Sequence, residues 1–212
     1  MKKKDAIFLF LVIVFICVFV IIANIASSKS ARKSLGGTKN EQNNLLSGKH
    51  YVLITVKNYG NIKVELDADT APITVTNFIN LVNDNFYDGL TFHRIMEGFM
   101  IQGGGYNKDG TEKDAHTIKG EFLQNGIVNN ISHKRGVISM ARSNDYNSGS
   151  SQFFIMHQDN ISLDGRYAAF GYVISGMDVV DKIAKKAKPT DNNGSIAVED
   201  RPVIESIRVV EE

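Results

Sequence analysis

Short apolar runs, each closed off by Gly, Asn, Asp or Ser, follow one another from Val52 to Val210 and leave room for only two helical patterns. The first pair sets the pattern. Val52, Ile54 and Val56 alternate with Leu53 and Thr55, Asn58-Tyr59-Gly60-Asn61 supplies turn residues, and Ile62, Val64 and Leu66 alternate with Lys63 and Glu65. A period of two on both sides of such a turn predicts a β-hairpin. Residues 90–95, 99–102, 136–141, 152–156, 168–173 and 203–210 supply further strands. One helix is signalled by Val75, Phe78, Ile79 and Val82 at helical spacing, after Asp69-Thr70-Ala71-Pro72, which sets capping side chains before a Pro suited to a first turn. The second carries Met177, Val180, Ile183, Ala184 and Ala187, with Lys185, Lys186 and Lys188 toward the end where positive charge suits the helix dipole. Many short strands with two helices predict a mostly β domain, a closed or nearly closed antiparallel sheet with helices over its open ends.

The front of the chain is of another kind. Residues 1–5 are a short basic tail, and residues 6–26 are apolar except for Asn24. That length is about what a helix needs to cross a bilayer, and it exceeds the roughly 7 to 15 residues of a signal-peptide core, so a transmembrane anchor is favoured. Cleavage after Ser28 is the alternative. Residues 27–49 turn to Ser, Lys, Gly, Asn and Gln, a linker composition whose flexible reach is roughly 25 to 30 Å. Residues 50–212 then form one domain of ordinary size. Lysines and arginines flank the apolar run on both sides, and the very short leading tail places the N-terminus inside and the domain outside the cytoplasm.

Composition removes several functions. With 24 Lys and Arg against 23 Asp and Glu there is no basic excess to engage nucleic acid. Cys17 is the only cysteine, so an intrachain disulfide and a Cys-based metal site are both excluded. His50, His93, His116, His133 and His157 lack paired metal-ligand spacing, Ser148-Gly149-Ser150-Ser151-Gln152 is not a nucleophile elbow, and Gly103-Gly104-Gly105 lacks the spacing of a nucleotide loop. No metal and no cofactor is expected.

What remains is FHRIMEGFMIQ from Phe92 to Gln102 and SQFF from Ser151 to Phe154, which set Arg94 among Phe99, Met100, Gln102, Gln152 and Phe154. These stretches, with NFINLV, GVISMA, LDGRYAAFG and GMDVVDKI in order along residues 50–212, resemble the cyclophilin family of peptidyl-prolyl cis-trans isomerases. The resemblance implies a closed eight-stranded antiparallel β-barrel capped by two α-helices, with a shallow groove for proline-containing peptides and unfolded proteins. It implies Arg94 as the catalytic arginine, assisted by Gln102, and a proline pocket of Phe99, Met100, Phe154 and Leu163. Gln152 falls among the polar groove residues, Ala141 and Arg142 flank the peptide backbone, and Tyr167 stands at the pocket edge. Ser162, Arg142 and Tyr167 replace residues usual in many relatives, which argues against tight cyclosporin binding.

Isomerisation asks for no nucleophile, because nothing is covalently attacked. It also moves no proton, so His93 is expected to be structural despite its place beside Arg94. Two rival readings use the same residues: a binding module that holds Pro-containing segments without turnover, and an envelope protein whose anchor matters more than its groove.

Overall fold

The computed structural model describes residues 45–212; the apolar run of residues 6–26 and most of the linker lie outside them. Alternation translates directly into pairing where the chain is simplest. Strands β1 (Lys49–Val56) and β2 (Gly60–Asp67) run antiparallel with Val52 opposite Val64 and Ile54 opposite Ile62, all four fully buried. Asn58 turns the hairpin in the left-handed region, at a φ of 66° that asparagine tolerates better than most residues. The remaining strands are β3 (Leu90–Met96), β4 (Met100–Asn107), β5 (Val137–Met140), β6 (Phe153–Met156), β7 (Ala169–Ser175) and β8 (Ile204–Val210).

Helix α1 (Pro72–Asn83) starts at the expected proline and buries Val75, Phe78, Ile79 and Val82. Its cap comes from elsewhere. Ala71, at the N-cap, makes no side-chain bond, and Asp67 accepts the Asp69 and Thr70 amides instead. The buried Glu121 carboxylate accepts from the backbone N–H of Ile73 at 3.0 Å and Thr74 at 2.8 Å, and from the Thr74 hydroxyl at 2.7 Å. An anion at a helix N-terminus satisfies orphan donors and complements the dipole. Helix α2 (Met177–Lys186) buries Val179, Val180, Ile183 and Ala184 and carries Lys185 and Lys186 in its last turn. It packs on β2 and β4, whereas α1 packs on β8 and β2.

The eight strands form one curled sheet in the order β3-β4-β6-β5-β7-β2-β1-β8. The expected closed barrel is corrected here to an open half-barrel. Edge strands β3 and β8 form no ladder, and their ends meet at one isolated bridge, Thr91 to Val203, flanked by the Phe92 amide on Pro202 O and the Gly89 amide on Ile204 O. Pro202 has no N–H to return, so the seam cannot propagate as a ladder. Farther along β3, the segment around Ser195 covers the free edge, with the Ile95 amide on Gly194 O and the Ile196 amide on His93 O.

Side chains divide between two apolar clusters. The larger fills the concave side with an aromatic group in which Phe78 lies 5.5 Å from Phe153 edge-on and 5.3 Å from Phe170. A smaller one, on the other face of β4 and β6, holds Met100, Ile131, Val137, Phe154, Met156 and Ala169. Phe99, Ala141, Leu163 and Tyr167 pack against it, half-covered. The site stands on this second cluster.

Candidate active site

Strand register assembles the polar end of the groove. On β3 and β4, Arg94 faces Gln102 and Met96 faces Met100; on β4 and β6, Gln102 faces Phe154. Residues separated in sequence by a turn, or by about a third of the domain, thus sit side by side. A groove of about 190 Å³ results, lined by Arg94, Phe99, Met100, Gln102, Arg142, Phe154, Leu163 and Tyr167. Such a volume suits one ring rather than a whole drug-sized molecule.

Arg94 is held on several sides. Its Nε donates to Asn193 O at 2.7 Å, its Nη1 to Gln102 Oε1 at 3.3 Å, and its guanidinium lies 5.9 Å from the centre of the Phe99 ring. Nη2 finds only the Met96 sulfur, at 3.4 Å. Thioether sulfur is a weak acceptor, so Nη2 keeps donor capacity to spare. Burial lowers the Arg94 pKa from its ordinary value, with Tyr167 and Asp191 opposing, and the group stays a cation.

Gln102 is fixed in turn, because its Nε2 donates to Gln152 Oε1 at 3.0 Å while its oxygen serves Arg94. Gln152 lies flat over Gly105, where any Cβ would come within 2.5 Å of its side chain. That contact explains one glycine of the Gly103-Gly104-Gly105 run: it makes room for an amide. Ala141 donates its amide to Gln152 O at 2.8 Å, so Ala141 and Gln152 support the groove from behind its lining.

Arg142 forms the other polar wall. Its guanidinium sits 4.8 Å from the Tyr167 ring and 5.0 Å from each of Phe122 and Tyr146, with Nε on Arg166 O and Nη1 on Ser143 O. Cation–π contacts on three sides fix it.

Asn193 escaped the sequence reading. Asp191 closes a tight loop by accepting the amides of Asn193 and Ser195, and this presents the Asn193 carbonyl to Arg94. Asp191-Asn192-Asn193-Gly194 is a recognisable turn signature, yet nothing local says which side chain it meets. His93, by contrast, stands outside the groove lining, its ring 4.7 Å from that of Tyr106 and its Nδ1 buried without a partner. Burial first, then the charges of Arg201 and Arg94, push its pKa down to about 4. His93 is therefore neutral at physiological pH.

An open groove with an apolar floor, two fixed guanidinium groups, a relay of two amides and no nucleophile among its lining residues is a site that can hold a ligand without attacking it. Comparison with known proteins makes that class specific. Residues 51–210 match the family model described as cyclophilin type peptidyl-prolyl cis-trans isomerase/CLD. Peptidyl-prolyl cis-trans isomerase A of Dickeya dadantii is 42% identical over 167 residues, covering 76% of this chain and 84% of that protein. A peptidyl-prolyl cis-trans isomerase of Acinetobacter baylyi is 48% identical over 143 residues, 65% of this chain and 72% of its own. A Cryptosporidium parvum cyclophilin solved in the presence of the dipeptide Ala-Pro superposes with a TM-score of 0.63 at 27% identity, covering 76% of this chain and 99% of that one. The chain belongs to the cyclophilin-type peptidyl-prolyl cis-trans isomerase family and is an isomerase of that class.

Proposed function

We propose that Arg94 catalyses rotation about X-Pro bonds by donating from Nη2 to the nitrogen of the twisted amide. Rotation faces a barrier of roughly 18 to 20 kcal/mol because the nitrogen lone pair is delocalised into the carbonyl. At the twisted midpoint that lone pair returns to nitrogen, which can then accept a hydrogen bond. A donor that pairs only with this state lowers the barrier, whereas one that pairs equally with the planar amide would not. The observation that carries the reading is the uneven satisfaction of the guanidinium, with Nε and Nη1 on oxygen and Nη2 on sulfur alone.

One charge-assisted hydrogen bond supplies about 1.5 to 3 kcal/mol, so the groove must supply the rest. Phe99, Met100, Phe154 and Leu163 would hold the proline ring and exclude water from the amide, while Gln102 and Gln152 keep the guanidinium from following the substrate. Exchange spectroscopy on an Ala-Pro peptide with the full chain tests this. Accelerated cis-trans exchange that Arg94→Ala removes is the expected result; binding without acceleration would make the domain a binding module.

The membrane setting is a separate proposal. The apolar run of residues 6–26 behind three lysines supports an anchored enzyme that acts outside the cytoplasm on slow X-Pro steps of exported chains. Cell fractionation with N-terminal sequencing of the mature protein distinguishes an anchored chain from one cleaved after Ser28. A soluble, cytoplasmic, full-length product would overturn it.

A further inference from the structure

Behind the proline pocket lies a chain of polar groups, buried at His133 and Ser139 and reaching the surface at Asp164, that the mechanism does not use. His133 is 1% exposed and Ser139 is fully buried. The imidazole Nδ1 is 2.8 Å from Asp164 Oδ1, and Nε2 is 3.0 Å from Ser139 Oγ. Asp164 also accepts the His133 amide at 2.7 Å and the Ser132 hydroxyl at 2.6 Å. A carboxylate only accepts, so Nδ1 carries a proton, and in the neutral ring Nε2 receives the Ser139 hydroxyl. Burial lowers the His133 pKa against the pull of Asp164.

This chain touches the pocket at three places. The His133 ring stacks on Phe154 with centroids 6.0 Å apart and an 18° tilt, and it meets Tyr167 edge-on at 6.5 Å. Ser139 is the direct cross-strand partner of Phe154. Asp164 follows Leu163 in the chain, and the His133 carbonyl accepts the Asn160 amide at the head of the 3-10 turn that presents Leu163. Phe154, Leu163 and Tyr167 come from three separate segments, so some element must fix their spacing. A hydrogen-bonded aromatic ring does this better than an aliphatic one, since two directional bonds set its angle as well as its place.

We propose that His133 is a positioning residue for the proline pocket, setting the Phe154 ring and, through Asp164, the Leu163 turn. This rests on the isomerase reading above. His133→Phe keeps a flat ring of similar size and loses both bonds. The expected result is a fall in kcat/KM of about five- to twentyfold, since small misplacements at a reacting centre are costly. Activity is referred to the folded fraction, measured by urea titration on the same sample; a histidine that only stabilised the fold would leave activity per folded molecule unchanged.

Asp164 provides the rescue test. Asp164→Asn retains an oxygen acceptor for Nδ1–H and should stay within about twofold of the parent, whereas Asp164→Ala should fall as His133→Phe does. Should His133→Phe not fold, the Asp164 pair carries the test alone. Folded His133→Phe within twofold of the parent, or Asp164→Asn as impaired as Asp164→Ala, overturns the proposal. The Phe154 ring resonances give a readout independent of activity: they shift in Asp164→Ala and return in Asp164→Asn if the hydrogen-bonded His133 sets the ring. A parent chain that accelerates no exchange would instead count against the isomerase reading.

Discussion

Phe153 and Phe154 are neighbours on one short strand, both at least 95% buried, and they do different work. Phe153 points into the concave side and packs edge-on against Phe78, Tyr87 and Phe92. Phe154 points the other way, onto the smaller cluster, and shows one edge to the groove. Strand β3 also sends neighbours opposite ways, although a bulge between Phe92 and Arg94 interrupts its alternation: His93 turns to Tyr106, and Arg94 to Phe99 and Gln102. The period-two geometry of a strand lets one face build the fold while the other builds the site, residue by residue. A substitution on either face should therefore produce a separable phenotype.

The largest effect is expected on the inner face. Phe153→Ala should cost about 3 to 5 kcal/mol, the usual range for removing a buried aromatic from a core, and denaturant titration measures it. A loss near that of Phe154→Ala would erase the distinction between the faces.

Acid should come next, acting through His93. Its pKa in the folded state, about 4, lies below the ordinary 6.5, so the unfolded chain binds the proton first. The contribution to stability is complete above pH 6.5 and is lost as pH falls from about 6.5 toward about 4. The difference between parent and His93→Gln should change by about 1 to 3 kcal/mol across that window. The same titration should leave kcat/KM flat between pH 8 and 6; a steep fall that His93→Gln abolishes would give His93 a chemical role.

Phe154→Ala should cost only about 1 to 2 kcal/mol, because the groove lets solvent and neighbours relax into the space. Its kcat/KM should nevertheless fall about ten- to a hundredfold, equivalent to about 1.4 to 3 kcal/mol of lost grip on the proline ring. Peptide titration and exchange kinetics on the same sample separate the two.

Much of this division could be read in the residues. Alternation in β1 and β2 and the helical spacing of Val75, Phe78, Ile79 and Val82 are local signals, and local signals survive folding. Strand β4 was legible only to Gln102, because three successive glycines look like a break; in the fold they continue the strand to Asn107. The groove residues came from the match of ordered motifs, since spacing alone cannot say that Leu163 and Phe99 share a pocket. Closure was misjudged because it depends on how edge strands meet, and Pro202 stops the seam from becoming a ladder. Glu121 at the α1 terminus, Asn193 on Arg94 and Asp164 on His133 are contacts across 31 to 99 positions of chain, with nothing local to announce them.

If the outer face does chemistry that folding does not need, Arg94→Ala should separate the two. Exchange kinetics on a Pro peptide and urea unfolding should be measured together. Stability is expected to stay within about 0.5 kcal/mol of the parent, as for a partly exposed side chain, with kcat/KM down at least tenfold for one lost charge-assisted bond. Undiminished kcat/KM in a folded Arg94→Ala protein would remove Arg94 from the chemistry.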